Sequence, residues 1–82
     1  MSPDVTVRYF AGARAAAGVE TEDRTAATLA DLVRQIADAH GPRLEKVLTA
    51  CSFLVDGQQA RDPGLALAPG TVVDVLPPFA GG

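Results

Sequence analysis

The chain has 82 residues, and its seven basic and ten acidic side chains give a formal net charge of −3 at pH 7. A chain of this length forms one small domain with a thin core, which argues against a self-contained enzyme with a deep internal cavity. Because the arginines are scattered, no basic stripe is offered to nucleic acid, and no apolar run approaches the roughly 18 residues that span a bilayer.

The single cysteine, Cys51, excludes an internal disulfide and a thiolate metal cluster within one chain. The start, Met1-Ser2-Pro3-Asp4, lacks the basic and apolar segments of a secretory signal. We therefore expect a cytoplasmic protein without a metal site, without a nucleic-acid partner and without a membrane partner.

The first quarter of the chain predicts a strand, a loop and a second strand. Residues 5–10 alternate apolar and polar side chains, which predicts a half-buried strand with Val5, Val7 and Tyr9 facing the core. The alanine-rich segment 11–18 is interpreted as a loop with room for one helical turn. Residues 19–24 are interpreted as a polar strand that pairs back on the first.

The main helix is predicted to begin after Thr28. Its apolar stripe falls at offsets of 0, 3, 4, 7, 8 and 11, and consists of Leu29, Leu32, Val33, Ile36, Ala37 and His40. Thr28 is the expected N-cap, with Asp31 at the third helical position. Gly41 and Pro42 end the helix.

The second half of the chain predicts a short helix at 42–48, strands at 52–55 and 58–60, and a final strand at 71–76. The Asp56-Gly57 pair is the turn between the two middle strands. This order predicts an α+β fold: a β-grasp roll whose mixed sheet of four to five strands carries one main helix across a face. The first and last strands are expected to lie side by side and parallel at the sheet centre.

The six residues 77–82 are expected to leave the body as a tail, which divides the chain into a domain at 1–76 and a tail at 77–82. Pro77 and Pro78 fix φ near −65° and suit neither a helix interior nor a central strand. The tail has no charged side chain and reaches at most about 20 Å.

The tail is suited to enter a narrow channel of a partner protein. Gly81 and Gly82 lack a β-carbon, so their backbone can approach another surface closely. Ala80 and Phe79 would add apolar contacts at the channel mouth, unless Phe79 folds back on the body. The reactive group in this interpretation is the carboxylate of Gly82.

Two segments of the chain resemble the MoaD/ThiS family of ubiquitin-like sulfur carriers: the start Val7-Arg8-Tyr9-Phe10-Ala11 with Arg14 and Gly18 behind it, and the ending 75–82. The Pro-Pro-x-x-Gly-Gly end is more similar to small subunits of molybdopterin synthase than to thiamine-pathway carriers. The resemblance implies a β-grasp fold and activation of Gly82 by an ATP-dependent, E1-like adenylyltransferase. It further implies conversion of Gly82 to a thiocarboxylate with sulfur from a donor protein, so that ATP is used by the partner and no cofactor is bound here.

A docking surface is expected beside the tail. By strand parity, Leu54 and Leu76 face outward together with Arg8, which makes an apolar patch with one charged residue. Similarity to molybdopterin synthase small subunits suggests that Arg14 contacts the large subunit, although a solvated loop arginine fits the sequence equally well.

Other roles for the same tail stay open. The sulfur acceptor is a molybdopterin synthase large subunit, or an enzyme that makes thiamine, cysteine or another sulfur metabolite. A ubiquitin-like modifier joined to target lysines would also use Gly82, and an inert interaction module would not need it.

Overall fold

The computed structural model describes residues 4–78. The first four elements are β1 (Asp4–Tyr9), α1 (Ala11–Ala17), β2 (Thr21–Thr25) and α2 (Leu29–His40). The remaining elements are α3 (Pro42–Leu48), β3 (Ser52–Val55), β4 (Gln58–Ala60) and β5 (Val72–Leu76).

The strands form one five-stranded sheet in the order β2-β1-β5-β3-β4. The two central strands, β1 and β5, are parallel, while every other described pair is antiparallel. The crossover between them includes α2 and α3, which pack on one face of the sheet. The predicted β-grasp architecture, with its parallel central pair, is confirmed.

The core lies between this face of the sheet and the helices. Fully buried side chains from the sheet and from α2 and α3 meet there, among them Val5, Val7, Val73, Val75, Leu32, Ile36 and Leu44. Burial of each such side chain contributes about 1.5 to 3 kcal/mol. The predicted inward positions on the first and last strands are confirmed.

The prediction of a main helix is also confirmed, including its cap. The Thr28 hydroxyl accepts a hydrogen bond from the Asp31 amide at 3.1 Å, which satisfies one of the unpaired amides at the helix start. Gly41 follows the last helical residue with φ at 92°, a conformation that favours glycine.

The loop predicted at 11–18 is wrong, because residues Ala11–Ala17 form the seven-residue helix α1. Alanine has the highest helix propensity, and Ala13 anchors this helix by full burial in the core. Gly18 ends it in the left-handed conformation, and its amide donates to the Arg14 carbonyl. Within α1, close packing against the body rests on Ala13, while Ala11, Gly12 and Ala15 are exposed.

The second strand is displaced from its predicted bounds, since β2 covers Thr21–Thr25 and pairs with β1 in the register Val7 to Glu22 and Val5 to Arg24. Glu22 and Arg24 consequently point to the core side at the edge of the sheet, where they are partly buried. None of the helices within residues 4–78 combines the length and the apolar character needed to cross a bilayer.

Candidate functional site

The outer face is the side of the sheet that the helices leave uncovered, and its centre is a row of three side chains. Asp74 on β5 lies between Arg8 on β1 and Leu54 on β3 in the strand register. Neighbouring strands lie about 4.8 Å apart. The topology thus brings together residues that are far apart in the sequence.

Arg8 and Asp74 form a bidentate ion pair in the middle of this row. The Arg8 Nε donates to Asp74 Oδ1 at 2.6 Å and its Nη2 donates to Oδ2 at 2.9 Å. The Asp74 side chain is 10% exposed and that of Arg8 is 50% exposed, so the carboxylate lies beneath the guanidinium. The hydrogen bond and the charge of Asp74 raise the pKa of Arg8, and the cation persists at any working pH.

Phe10 provides a second contact for the Arg8 side chain. The Arg8 Cζ lies 5.8 Å from the centre of the Phe10 ring, within the range of a cation–π interaction. Phe10 directly follows β1, and its amide donates to the Val75 carbonyl. The guanidinium is therefore held in orientation from two sides.

The two leucines predicted on this face lie where strand parity placed them, but they are partly buried and not exposed. Leu54 adjoins Asp74, and Leu76 lies opposite Ser52. Both sit on strands that have a neighbour on each side, because β3 lies between β5 and β4 and β5 lies between β1 and β3. Flanking side chains consequently cover part of each leucine.

The base of the tail adjoins the outer face. β5 ends at Leu76, after which Pro77 is partly buried and Pro78 is exposed, and neither belongs to a regular element. Leu76 lies two residues, about 7 Å, beyond Asp74 along the strand. The predicted tail residues Phe79, Ala80, Gly81 and Gly82 lie outside the described residues, and the division at residue 76 stays a prediction.

Arg14 lies apart from the central row, on α1. Its Nε donates to the Tyr9 carbonyl at 3.3 Å, and its Nη1 lies 3.7 Å from the Glu20 carboxylate. This half-exposed side chain is thereby tied to the end of β1 and to the turn between α1 and β2. The structure does not place it beside Arg8, Leu54 or Leu76.

Asp74 is the member of the central row that sequence reasoning left without a role. Strand parity placed Asp74 on the outer face, where a charged side chain is expected to be solvated and needs no protein partner. The sequence did contain one indication, since Arg8 has the opposite charge and an outward position on the other central strand. An ion pair between Arg8 and Asp74 can be predicted from this only when the register of β1 against β5 is known.

A second polar cluster closes the opposite side of the sheet at β2. Glu22 accepts from the Arg24 Nε and from the His40 Nε2, and the His40 ring makes an edge contact with the Tyr9 ring at 5.8 Å. Burial alone would raise the pKa of Glu22, but the hydrogen bonds from Arg24 and His40 lower it overall. Burial, and then the charge of Glu22, raise the pKa of Tyr9, so the phenol stays neutral. His40 is thus tied to β2 as well as standing at the helix end.

Cys51 lines an open apolar groove of about 510 Å³ between α2 and β3, on the helix side of the sheet. Its thiol donates to the Val47 carbonyl at 3.2 Å, and burial raises its pKa. A neutral, hydrogen-bonded thiol is a poor nucleophile. Within residues 4–78, no group of three or more metal-binding side chains comes together.

Comparison of the sequence and the fold with known proteins identifies the family of this chain. The ThiS family model matches residues 7–82, which is most of the chain. The chain belongs to the ThiS family. A molybdopterin synthase sulfur carrier subunit of Chlamydomonas reinhardtii is 35% identical over 95% of this chain and 98% of that protein. The predicted resemblance is confirmed.

Solved structures of similar proteins agree with the fold. SAMP1 of Haloferax volcanii superposes with a TM-score of 0.83 at 28% identity, covering 96% of this chain and 99% of that one. A chain from the complex of subunits 1 and 2 of the Helicobacter pylori molybdopterin-converting factor gives a TM-score of 0.74 at 26% identity, with 96% and 99% covered.

Proposed function

We propose that this protein is a cytoplasmic sulfur carrier whose Gly82 carboxylate is converted to a thiocarboxylate and delivered to a molybdopterin synthase large subunit. The observation that carries the proposal is the near full-length match to a molybdopterin synthase sulfur carrier subunit. The family match supports it further, because it continues through the terminal Gly81 and Gly82.

The chemistry requires help from partners at each step. A carboxylate is a poor electrophile, so an E1-like adenylyltransferase first joins Gly82 to AMP from ATP and releases pyrophosphate. A sulfur donor protein then supplies the nucleophile as a persulfide, a carbon–sulfur bond forms and AMP leaves. A thiol of the donor next breaks the sulfur–sulfur bond, which releases the thiocarboxylate and leaves a disulfide on the donor. The net change at Gly82 is one oxygen replaced by sulfur, while the domain serves as the handle that both partners bind.

The large subunit is proposed to dock on the outer face, with the tail entering its active site. Arg8, Leu54 and Leu76 are proposed to make the contact, since they lie on the uncovered face next to the tail base. Arg14 is proposed as a contact at the side of this face. The similarity to the H. pylori chain, which was solved as a complex of two subunits, supports a partner of this class.

The test is mass spectrometry after incubation with the activating enzyme, ATP and a sulfur donor from the same organism. We expect a mass gain that equals the exchange of one oxygen for sulfur, located on Gly82. A variant with a tryptophan appended after Gly82 should show none, because the carboxylate is displaced by one bulky residue. The matched control is Ala50→Trp, which adds the same side chain at an exposed site and should react normally. Equal mass gain in the extended variant, verified as unprocessed, would contradict the proposal.

A second candidate is a ubiquitin-like modifier, favoured by the similarity to SAMP1, a small archaeal modifier protein. It predicts an isopeptide bond between Gly82 and lysines of other proteins. Denaturing gels and peptide mapping of the purified protein distinguish the two roles. Carriage to thiamine, cysteine or another sulfur metabolite is distinguished by which acceptor enzyme co-purifies.

A further inference from the structure

The ion pair at the centre of the outer face leaves a particular set of donors unused. The Nε and Nη2 groups of Arg8 donate to Asp74, and its Nη1 makes no hydrogen bond to any residue within 4–78. The side chain is nevertheless half exposed. The guanidinium therefore presents at least two N–H groups from a fixed position beside Asp74, which separates Arg8 from Leu54 in the strand register.

A docked partner must accept these hydrogen bonds. When an apolar surface covers Arg8, the free N–H groups lose water without compensation, which costs more than the contact gains. An opposing oxygen atom avoids that loss. The Arg8 donors thus require a partner with an oxygen acceptor at this position, whereas the leucines require only an apolar surface.

The charge balance decides which kind of oxygen fits. Asp74 already neutralises Arg8, so a partner carboxylate would bring a second negative charge next to a carboxylate that is almost fully covered. A backbone carbonyl or a side-chain amide supplies an acceptor without that repulsion. A neutral acceptor is the better complement.

We infer that the Arg8–Asp74 pair is the specificity determinant of the outer face, and that it selects a partner surface that is apolar apart from one uncharged acceptor opposite Arg8. This inference rests on the proposed docking of the large subunit on that face. Asp74 is a positioning residue in this arrangement, because it holds the guanidinium that makes the contact. Lysine at position 8 would keep the charge but lose the planar fork.

The experiment measures the Kd of the purified large subunit from the same organism for five proteins. These are the unchanged chain, Arg8→Lys, Asp74→Leu, the double variant Arg8→Leu with Asp74→Leu, and the control Arg43→Leu on the exposed side of α3. Thermal unfolding of each protein is recorded alongside. Replacing both members of such a pair by apolar residues commonly leaves stability intact or increased, so the double variant is expected to fold.

We expect Arg8→Lys, Asp74→Leu and the double variant each to weaken binding at least about tenfold, with Arg43→Leu within about twofold of the unchanged chain. The double variant is decisive because it enlarges the apolar patch, so it should bind at least as tightly as the unchanged chain if apolar contact alone determined the affinity. Binding as tight as that of the unchanged chain would show that the pair is only structural and would overturn the inference.

Salt dependence tests the uncharged acceptor. We expect the slope of log Kd against log salt to be the same for the unchanged chain and the double variant, because a neutral pair is exchanged for a neutral pair. A steeper slope in the unchanged chain would indicate a partner carboxylate opposite Arg8 and would overturn the inference that the acceptor is uncharged. Absence of binding by the unchanged chain contradicts the proposed function as well, whereas binding that survives the double substitution contradicts the inference alone.

Discussion

Glu22→Gln tests whether the polar cluster at β2 stabilises the fold. The Glu22 carboxylate accepts hydrogen bonds from Arg24 and His40, and the side chains of all three are less than a third exposed, at 15%, 31% and 16%. A hydrogen bond to a charged group contributes about 1.5 to 3 kcal/mol. Glutamine offers one acceptor oxygen and loses the charge, so we expect a loss of about 2 kcal/mol at pH 7. In a domain of this size that lowers Tm by about 8 to 16 °C.

The pH dependence of this loss in unfolding free energy follows from the direction in which folding shifts the pKa of Glu22. Its pKa in the folded state is lower than the ordinary glutamate value of 4.5, so the unfolded chain takes up the proton first as the pH falls. The contribution of Glu22 is therefore complete above pH 4.5 and disappears as the pH falls through the folded-state pKa. The difference in unfolding free energy between the unchanged chain and Glu22→Gln should shrink over that window.

The assay is urea unfolding followed by circular dichroism at pH values from 7 to 3. Glu20→Gln is the matched control, because Glu20 is 74% exposed and 3.7 Å from Arg14. A surface pair of this kind contributes about 0 to 1 kcal/mol. A loss in Glu22→Gln no larger than in Glu20→Gln, or one that stays constant down to pH 3, would refute the reasoning.

Three further outcomes are expected. Thr28→Ala removes the oxygen that caps α2 and should cost about 1 kcal/mol in urea unfolding, whereas Thr28→Ser should keep the cap. Gly70→Ala should cost about 1 to 2 kcal/mol in the same assay, because φ at residue 70 is 83°, although no atom beyond the two neighbouring residues lies within 4 Å of the new methyl group. Cys51 should react with iodoacetamide at pH 8 much more slowly in the folded protein than in urea, as measured by mass, because burial raises its pKa; equal rates would show an accessible thiolate.

Elements with a strong periodic pattern and a clear end were predictable. The stripe of α2 with its Thr28 cap and the alternation of β1 each place apolar side chains on one face. β5 was predictable as a strand from its run of β-branched residues, although it has apolar side chains on both faces. The segment of α1 lacked that pattern, because alanine contributes helix propensity without marking a face. Only Gly18, as a C-cap, could have indicated a helix there.

The sequence predicted on which face of the sheet the candidate site residues lie, but not which of them contact each other. Parity put Arg8, Leu54 and Leu76 on the outer side of the sheet, where they lie. It could not show that Asp74 meets Arg8, since that contact depends on the register of two strands whose partner residues are 66 positions apart. Nor could parity show how far the flanking strands cover the leucines.

The edges of the sheet favour the proposed docking on its face. An edge strand invites pairing with another chain unless it is short or carries charges that point inward. β4 has only three residues, and β2 turns Glu22 and Arg24 toward the core side. Strand addition is thereby disfavoured at both edges. The outer face between them carries the two leucines, residues Pro77 and Pro78 at its end, and the Arg8 N–H groups that bond to no other residue within 4–78. The cluster around Glu22 thus protects an edge on one side of the molecule, and the Arg8–Asp74 pair sets the chemistry of the face that remains available.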